Sequence, residues 1–269
     1  MRSLHYALLL STCIGMTFIP ATQAQDAMNF DSVMGLGGME STPKASTKVA
    51  ASVTSYSNEP FIVVTELSIP DHWHAYYKNP GTFGEPIAYA ITPVKGFKID
   101  GPFWQTPTVG EGMTLFYGYS NKAKLAFRIT PEADAPAEAT FTTTMSWQMC
   151  DESSCAAPET KTNSITLKKG NGEAATDSAE LLKGIAGVTT PSWAEGLQTR
   201  ISHQQNTVTL HLKTAGKPLP DGKAYFFCDM GEILPTKPQE LKKISDSEYD
   251  FVMTMTTQTI CTKTSFRKK

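Results

Sequence analysis

The chain has 269 residues, 40% of them hydrophobic and 19% charged, with 24 Lys and Arg against 26 Asp and Glu. That length allows one large domain or two small ones at roughly 100–200 residues each, and the composition is ordinary for a globular chain, which excludes disorder over most of it. A formal net charge of −2 supplies no electrostatic footprint for a nucleic-acid backbone, so nucleic acid is excluded as an expected partner.

Residues 1–24 read as a secretory signal peptide. Arg2 gives a positive start, Tyr6-Ala7-Leu8-Leu9-Leu10 through Ile19 is apolar apart from Ser and Thr, and Thr22-Gln23-Ala24 places small residues before a cut after Ala24. Downstream, no apolar run approaches the ~18 residues needed to cross a bilayer. Removing the signal leaves Cys150, Cys155, Cys228 and Cys261. The exported chain is expected in the periplasm, an oxidising compartment where cysteines keep disulfides rather than serve by default as metal ligands.

Residues 25–48 are rich in Gly, Met, Ser and Thr and read as a flexible lead. From residue 49 the pattern changes to short β-rich runs between Pro and Gly: 61–69, 87–91, 124–129, 140–149 and 164–167. Short strands at regular spacing indicate an all-β fold, a β-sandwich over residues 49–169. In the run 140–150, Phe141, Met145, Trp147 and Met149 share one face, which places Cys150 on the other face, at the rim of the sheet. Residues 170–190 read as a linker with a short helix, Asp177 at its N-cap and Glu180 three residues on. Residues 191–269 read as a second β unit, with runs at 207–212, 224–227 and 249–255; three strands are too few for a sandwich, so this unit reads as incomplete.

Cys150-Asp151-Glu152-Ser153-Ser154-Cys155, followed by Ala156-Ala157-Pro158-Glu159-Thr160-Lys161-Thr162, is the most informative stretch. Four intervening residues let two neighbouring strand ends bring the Cβ atoms to disulfide distance. So short a ring gains only about 2 kcal/mol from chain entropy. Spacing alone leaves both a structural staple and a redox pair open.

The stretch 150–162 resembles the active-site segment of the N-terminal periplasmic domain of the thiol:disulfide interchange protein DsbD family. Phe116-Tyr117-Gly118 resembles that family's cap loop, and His72-Trp73-His74-Ala75-Tyr76-Tyr77-Lys78-Asn79-Pro80-Gly81 resembles a strand of its copper-tolerance branch. The resemblance implies an immunoglobulin-like sandwich cycling between disulfide and dithiol as a protein-disulfide reductase component, with no cofactor. It implies Cys155 as the thiol that attacks the partner's disulfide, Cys150 as the resolving thiol, Phe116 and Tyr117 as a cap, and Tyr76 and His74 as neighbours of the site. The expected partners are thioredoxin-like periplasmic proteins or disulfide isomerases, with a membrane electron conductor as donor; in the relatives that conductor follows in the same chain, and a sequence ending at Lys269 reads as either a stand-alone member or a truncated product. The acidic residues that usually precede the cap aromatics are replaced by Thr114 and Leu115, and His74 stands where an aromatic residue is common.

Asp151 and Glu152 beside Cys150 disfavour a thiolate, so the pair is expected to react mainly with a docked partner that brings its own activated cysteine. The rival reading is a copper-binding or structural module with a fixed disulfide. In it, His72 and His74, two apart on a strand, would face the same way and ligate a metal with Cys150, Cys155 or Met149. No Ser/His/Asp arrangement with a hydrolase-like local sequence and no phosphate-cradling Gly loop stands in the chain. Lys223-Ala224-Tyr225-Phe226-Phe227 with Gly231-Glu232-Ile233 resembles the second periplasmic β-domain of the same branch.

Overall fold

Runs of β-branched and aromatic residues punctuated by Pro and Gly form antiparallel sheets in this computed structural model. It describes residues 44–255 apart from 113, 189–191, 220–223 and 230–232; the signal-peptide reading, nearly all of the lead and Cys261 lie outside the described residues. In chain order the first strands are β1 (Ser46–Ala51), β2 (Phe61–Ser68), β3 (His74–Gly81), β4 (Ala88–Ile91), β5 (Phe97–Trp104), β6 (Thr108–Glu111) and β7 (Leu115–Ser120). They are followed by β8 (Lys122–Pro131), β9 (Glu138–Trp147), β10 (Met149–Cys150) and β11 (Glu159–Lys168). Then come helix α1 (Ser178–Leu182), a 3-10 turn at Ser192–Ala194, and β12 (Gln198–Gln204), β13 (Thr207–Lys213), β14 (Gln239–Lys243) and β15 (Glu248–Thr254).

The sheets run β1-β2-β8-β5, β11-β9-β4, β10-β3-β7-β6 and β12-β13-β15-β14. The fold is all-β, built of antiparallel sheets. The first three sheets enclose one core, with Val63, Leu67, Leu125 and Ile129 from the first meeting Phe141, Met145 and Trp147 from the second and Tyr77, Tyr117 and Tyr119 from the third. Inside it, the Tyr89 hydroxyl donates to Thr65 Oγ1 (2.9 Å), which is 2.9 Å from Thr143 Oγ1, so the polar atoms of three strands satisfy one another. On the solvent side of β9 and β11, the cross-strand pairs Thr140–Thr166, Thr142–Ser164, Thr144–Thr162 and Ser146–Thr160 are hydrogen-bonded at 2.8–3.1 Å.

The expected run 140–149 is divided. β9 ends at Trp147, the strand is interrupted at Gln148, and β10 joins a different sheet beside β3. Residues 224–227 form no strand.

Residues 170–188 pack on the sandwich. Ile185 is fully buried against Ile62, Val64 and Ala126, with Leu181, Leu182 and Val188 around it. Backbone bonds from Thr54 to Glu173 and from Ala175 to Ser52 carry the pairing past β11, and Lys124 Nζ donates to the Glu180 carbonyl at 2.5 Å. β2 is therefore buried on both faces, which is why its sequence FIVVTEL is nearly continuous rather than alternating. Asp177 stands at the N-cap of α1, but its side chain makes no capping bond.

The last sheet packs one face of Val208, Leu210, Leu241, Phe251 and Met253 under Ile233 and Phe226. Its other face is polar.

Candidate active site at the Cys150–Cys155 disulfide

Cys150 and Cys155 form a disulfide with S–S 2.09 Å. The ring is closed as a small turn. Asp151 N–H donates to the Ser154 carbonyl (2.9 Å), and Ala156 N–H to the Met149 carbonyl (2.8 Å). Asp151 Oδ1 accepts from the backbone N–H of Ser153 (2.7 Å) and Ser154 (2.6 Å) and from both hydroxyls. Those bonds hold the Asp151 carboxyl below its ordinary value. Asp151 thus builds the loop that presents the second cysteine.

The two cysteines differ in exposure. Cys155 is exposed on this loop, whereas Cys150 is fully buried. Alternation does put Cys150 on the face opposite Met149, as expected from sequence, but not at an open rim. Because β10 pairs with β3, Cys150 lies opposite His74 in register and is covered by Tyr76 and Phe116.

His74 and Tyr76 are two apart on β3 and share that face. The His74 ring stacks on Phe116 with centroids 3.9 Å apart, Tyr76 meets Phe116 edge-on at 5.5 Å, and His74 Nε2 is 3.1 Å from the Tyr76 hydroxyl. The Phe116 ring fits because the residue paired with it on β6 has no side chain: a Cβ on Gly110 would sit 2.2 Å from Phe116 Cζ, while one on Gly118, two residues along β7, would meet the Ala75 carbonyl oxygen at 2.3 Å and the ring at 3.0 Å. Burial lowers the His74 pKa below 6.5, with the Asp151 charge opposing it, and burial raises that of Tyr76. A cavity of about 450 Å³ opens beside this cluster, walled by His72, His74 and Phe116 and rimmed by Glu111, Asp151 and Glu152.

Tyr117 departs from the expectation. Consecutive residues of a strand point to opposite faces, so Phe116 and Tyr117 on β7 cannot both cover the disulfide. Phe116 lies against Cys150, while Tyr117 is buried in the sandwich core. Of the two rings, only Phe116 covers Cys150. His72 and His74 are also separated in character: His72 sits exposed in the turn before β3 at φ +67°, whereas His74 is buried with Nε2 engaged by Tyr76. Among the described residues no three His, Cys, Asp or Glu side chains are grouped as a metal site would require.

One arrangement was not legible in the sequence. Ser202 Oγ is 2.8 Å from His211 Nε2, and His211 Nδ1 is 2.6 Å from Asp250 Oδ1, across β12, β13 and β15. Ser202 and His211 are nine residues apart on one hairpin and Asp250 lies 39 residues further on, and only the strand register brings the three together. Ser202 is exposed on the outermost strand of a regular ladder, a setting without the converging donors that acyl transfer needs. We read it as cross-strand polar bonding on a solvated face.

Residues 43–167 match the family described as "Thiol:disulfide interchange protein DsbD, N-terminal". Among solved structures, the chain is similar to the N-terminal periplasmic domain of ScsB from Proteus mirabilis, at 12% identity and TM-score 0.44, over 78% of this chain and 80% of that one. It is also similar to the Neisseria meningitidis DsbD N-terminal domain in its reduced form, at 17% identity and TM-score 0.28, over 45% of this chain and 90% of that one. A comparison with curated proteins finds no match.

Proposed function

We propose that this chain, whose residues 43–167 belong to the DsbD N-terminal domain family, is a periplasmic thiol–disulfide exchange module that passes reducing equivalents to thioredoxin-like proteins through Cys150 and Cys155. The observation that carries the reading is the asymmetry of the pair, one cysteine exposed on a turn and the other buried beneath an aromatic ring. A staple has no use for that asymmetry; sequential exchange does.

In the reduced form the Cys155 thiolate attacks one sulfur of the partner's disulfide. An S–S bond forms between Cys155 and the partner, and the partner's other sulfur leaves as a thiolate that takes up a proton. Cys150 then attacks the Cys155 sulfur, the mixed disulfide breaks, and the partner departs as a dithiol. Two electrons and two protons have moved to the partner, and the Cys150–Cys155 bond seen here is the product. A membrane electron conductor is the proposed donor that reduces it again. Rates of such steps depend on access and on the leaving thiol as well as on thiolate fraction, which suits a capped pair set among carboxylates.

The test is a trap. In Cys150→Ala the attacking thiol remains and the resolving one is gone, so a covalent adduct with an oxidised thioredoxin-like protein should accumulate and dissolve with dithiothreitol. Cys155→Ala should form none. Adducts in Cys155→Ala alone would reverse the roles, and adducts in neither would refute exchange.

A further inference from the structure

The two faces of β7 serve different structures. Its outer residue Phe116 covers Cys150, and its inner residue Tyr117 is held by residues beyond β11. The Tyr117 hydroxyl accepts from Gln239 Nε2 (3.1 Å) and donates to the Ile233 carbonyl (3.3 Å), and its ring meets Phe227 edge-on at 5.0 Å. Gln239 Oε1 accepts from Phe226 N–H (2.8 Å), so one amide ties the strap 224–229 to β14 and to Tyr117. The strap faces both ways. Phe226 packs into the core of the last sheet, and Phe227 into the core of the sandwich.

β3, the partner strand of β7, is gripped by the same strap. Asn79 Nδ2 donates to the Cys228 carbonyl (2.9 Å), Lys78 Nζ is 2.6 Å from Asp229 Oδ1, and the Tyr77 hydroxyl donates to Asp229 at 3.4 Å. Gly81, which pairs with Phe116, lies so close to Pro235 that a Cβ would stand 2.6 Å from that ring. Contacts from the second β unit therefore reach the residue next to the cap and the residue paired with it.

We propose that the second β unit braces the cap strand from behind, with Phe227 and Gln239 as positioning residues that hold Phe116 closed over Cys150. The proposal rests on the exchange reading above for its significance, since the brace sets how readily the pair is reached. A hydrogen bond of this kind contributes net about 0.5–1.5 kcal/mol. If that free energy holds the cap closed, losing it raises the open fraction by roughly two- to tenfold.

The experiment uses the full chain, reduced and then treated with a bulky maleimide, with modification of Cys150 followed by mass as the second adduct on the peptide carrying both cysteines, since Cys155 is already exposed. Gln239→Ala, Phe227→Ala and Tyr117→Phe should each be modified roughly two- to tenfold faster than wild type, while far-ultraviolet circular dichroism keeps the β signal. Tyr117→Phe combined with Gln239→Ala should be accelerated by less than the product of the two single effects, because the two variants share the Tyr117–Gln239 bond while each also loses a bond of its own; general loosening would instead give effects that multiply in full. Wild-type rates in all three single variants, with Phe116→Ala still accelerated, would overturn the brace. Maleimide reads access to the thiols and the adduct trap reads transfer, so failure of the brace and failure of exchange are separate results.

Discussion

Phe116 owes its place to a histidine on one side of its ring and to a glycine opposite. Gly110→Ala adds a methyl into the space of Phe116 Cζ, so it should displace the cap without touching the ring itself. The expected result is faster maleimide modification of reduced Cys150, comparable with Phe116→Ala; an unchanged rate would count against the cap. Phe116→Ala should cost about 1.5–3 kcal/mol, the value of a buried aromatic in a small cluster. Trp147→Ala, in the main core, should cost about 3–5 kcal/mol in urea unfolding. His74 supplies a pH dependence. Its pKa is lowered in the folded state by burial, so the folded protein binds fewer protons at this site than the unfolded chain. The contribution is then fully present above the ordinary value of 6.5 and is lost as pH falls below it. Melting temperature should therefore drop on acidification through that window, and more steeply in wild type than in His74→Phe, which keeps the stack but cannot titrate. Equal slopes would remove His74 from the account.

The elements divide into those whose sequence announces them and those fixed by distant partners. β2, β9, β13 and β15 carry continuous or alternating apolar residues and were legible, as was the pairing of a Cys-x4-Cys with an aromatic segment upstream. β12 was not legible, because every residue in it is exposed and no hydrophobic period marks it. The break at Gln148 was also invisible, since the apolar alternation runs through it unaltered, and only the pairing of β10 with β3 turns Cys150 into a covered residue. The separation of Phe116 from Tyr117 has a cause the sequence does contain: adjacent strand residues face apart. Residues 170–190 read as a linker from their Gly and Asn content, yet Leu181, Leu182, Ile185 and Val188 find an apolar partner on the outer face of β2 and β8. A fragment of residues 44–188 should for that reason be more stable than one of residues 44–169. The burial of Ile185 alone is worth about 1.5–3 kcal/mol, and urea midpoints of the two fragments measure it; equal midpoints would show that α1 and its flanks contribute nothing.

Across the whole molecule, the sandwich supplies the disulfide and the cap, and the last sheet supplies the strap behind them. Electrostatics contributes little to this assembly, because the one close ion pair in the strap, Lys78–Asp229, has Asp229 largely exposed. Packing of Phe227 and the bonds to Tyr117 carry it instead. The exposed Cys155, the buried Cys150 and the ring over it together carry the proposal of a pair that opens and closes in use. The most direct test of that claim is the reduction potential of Cys150–Cys155, measured by equilibration with glutathione redox buffers and mass analysis of the peptide. A pair that exchanges with thioredoxin-like proteins should equilibrate within the buffer range at a potential above about −300 mV, whereas a bridge that stays oxidised against every mixture, at a potential below about −300 mV, would make it a structural staple and contradict the account.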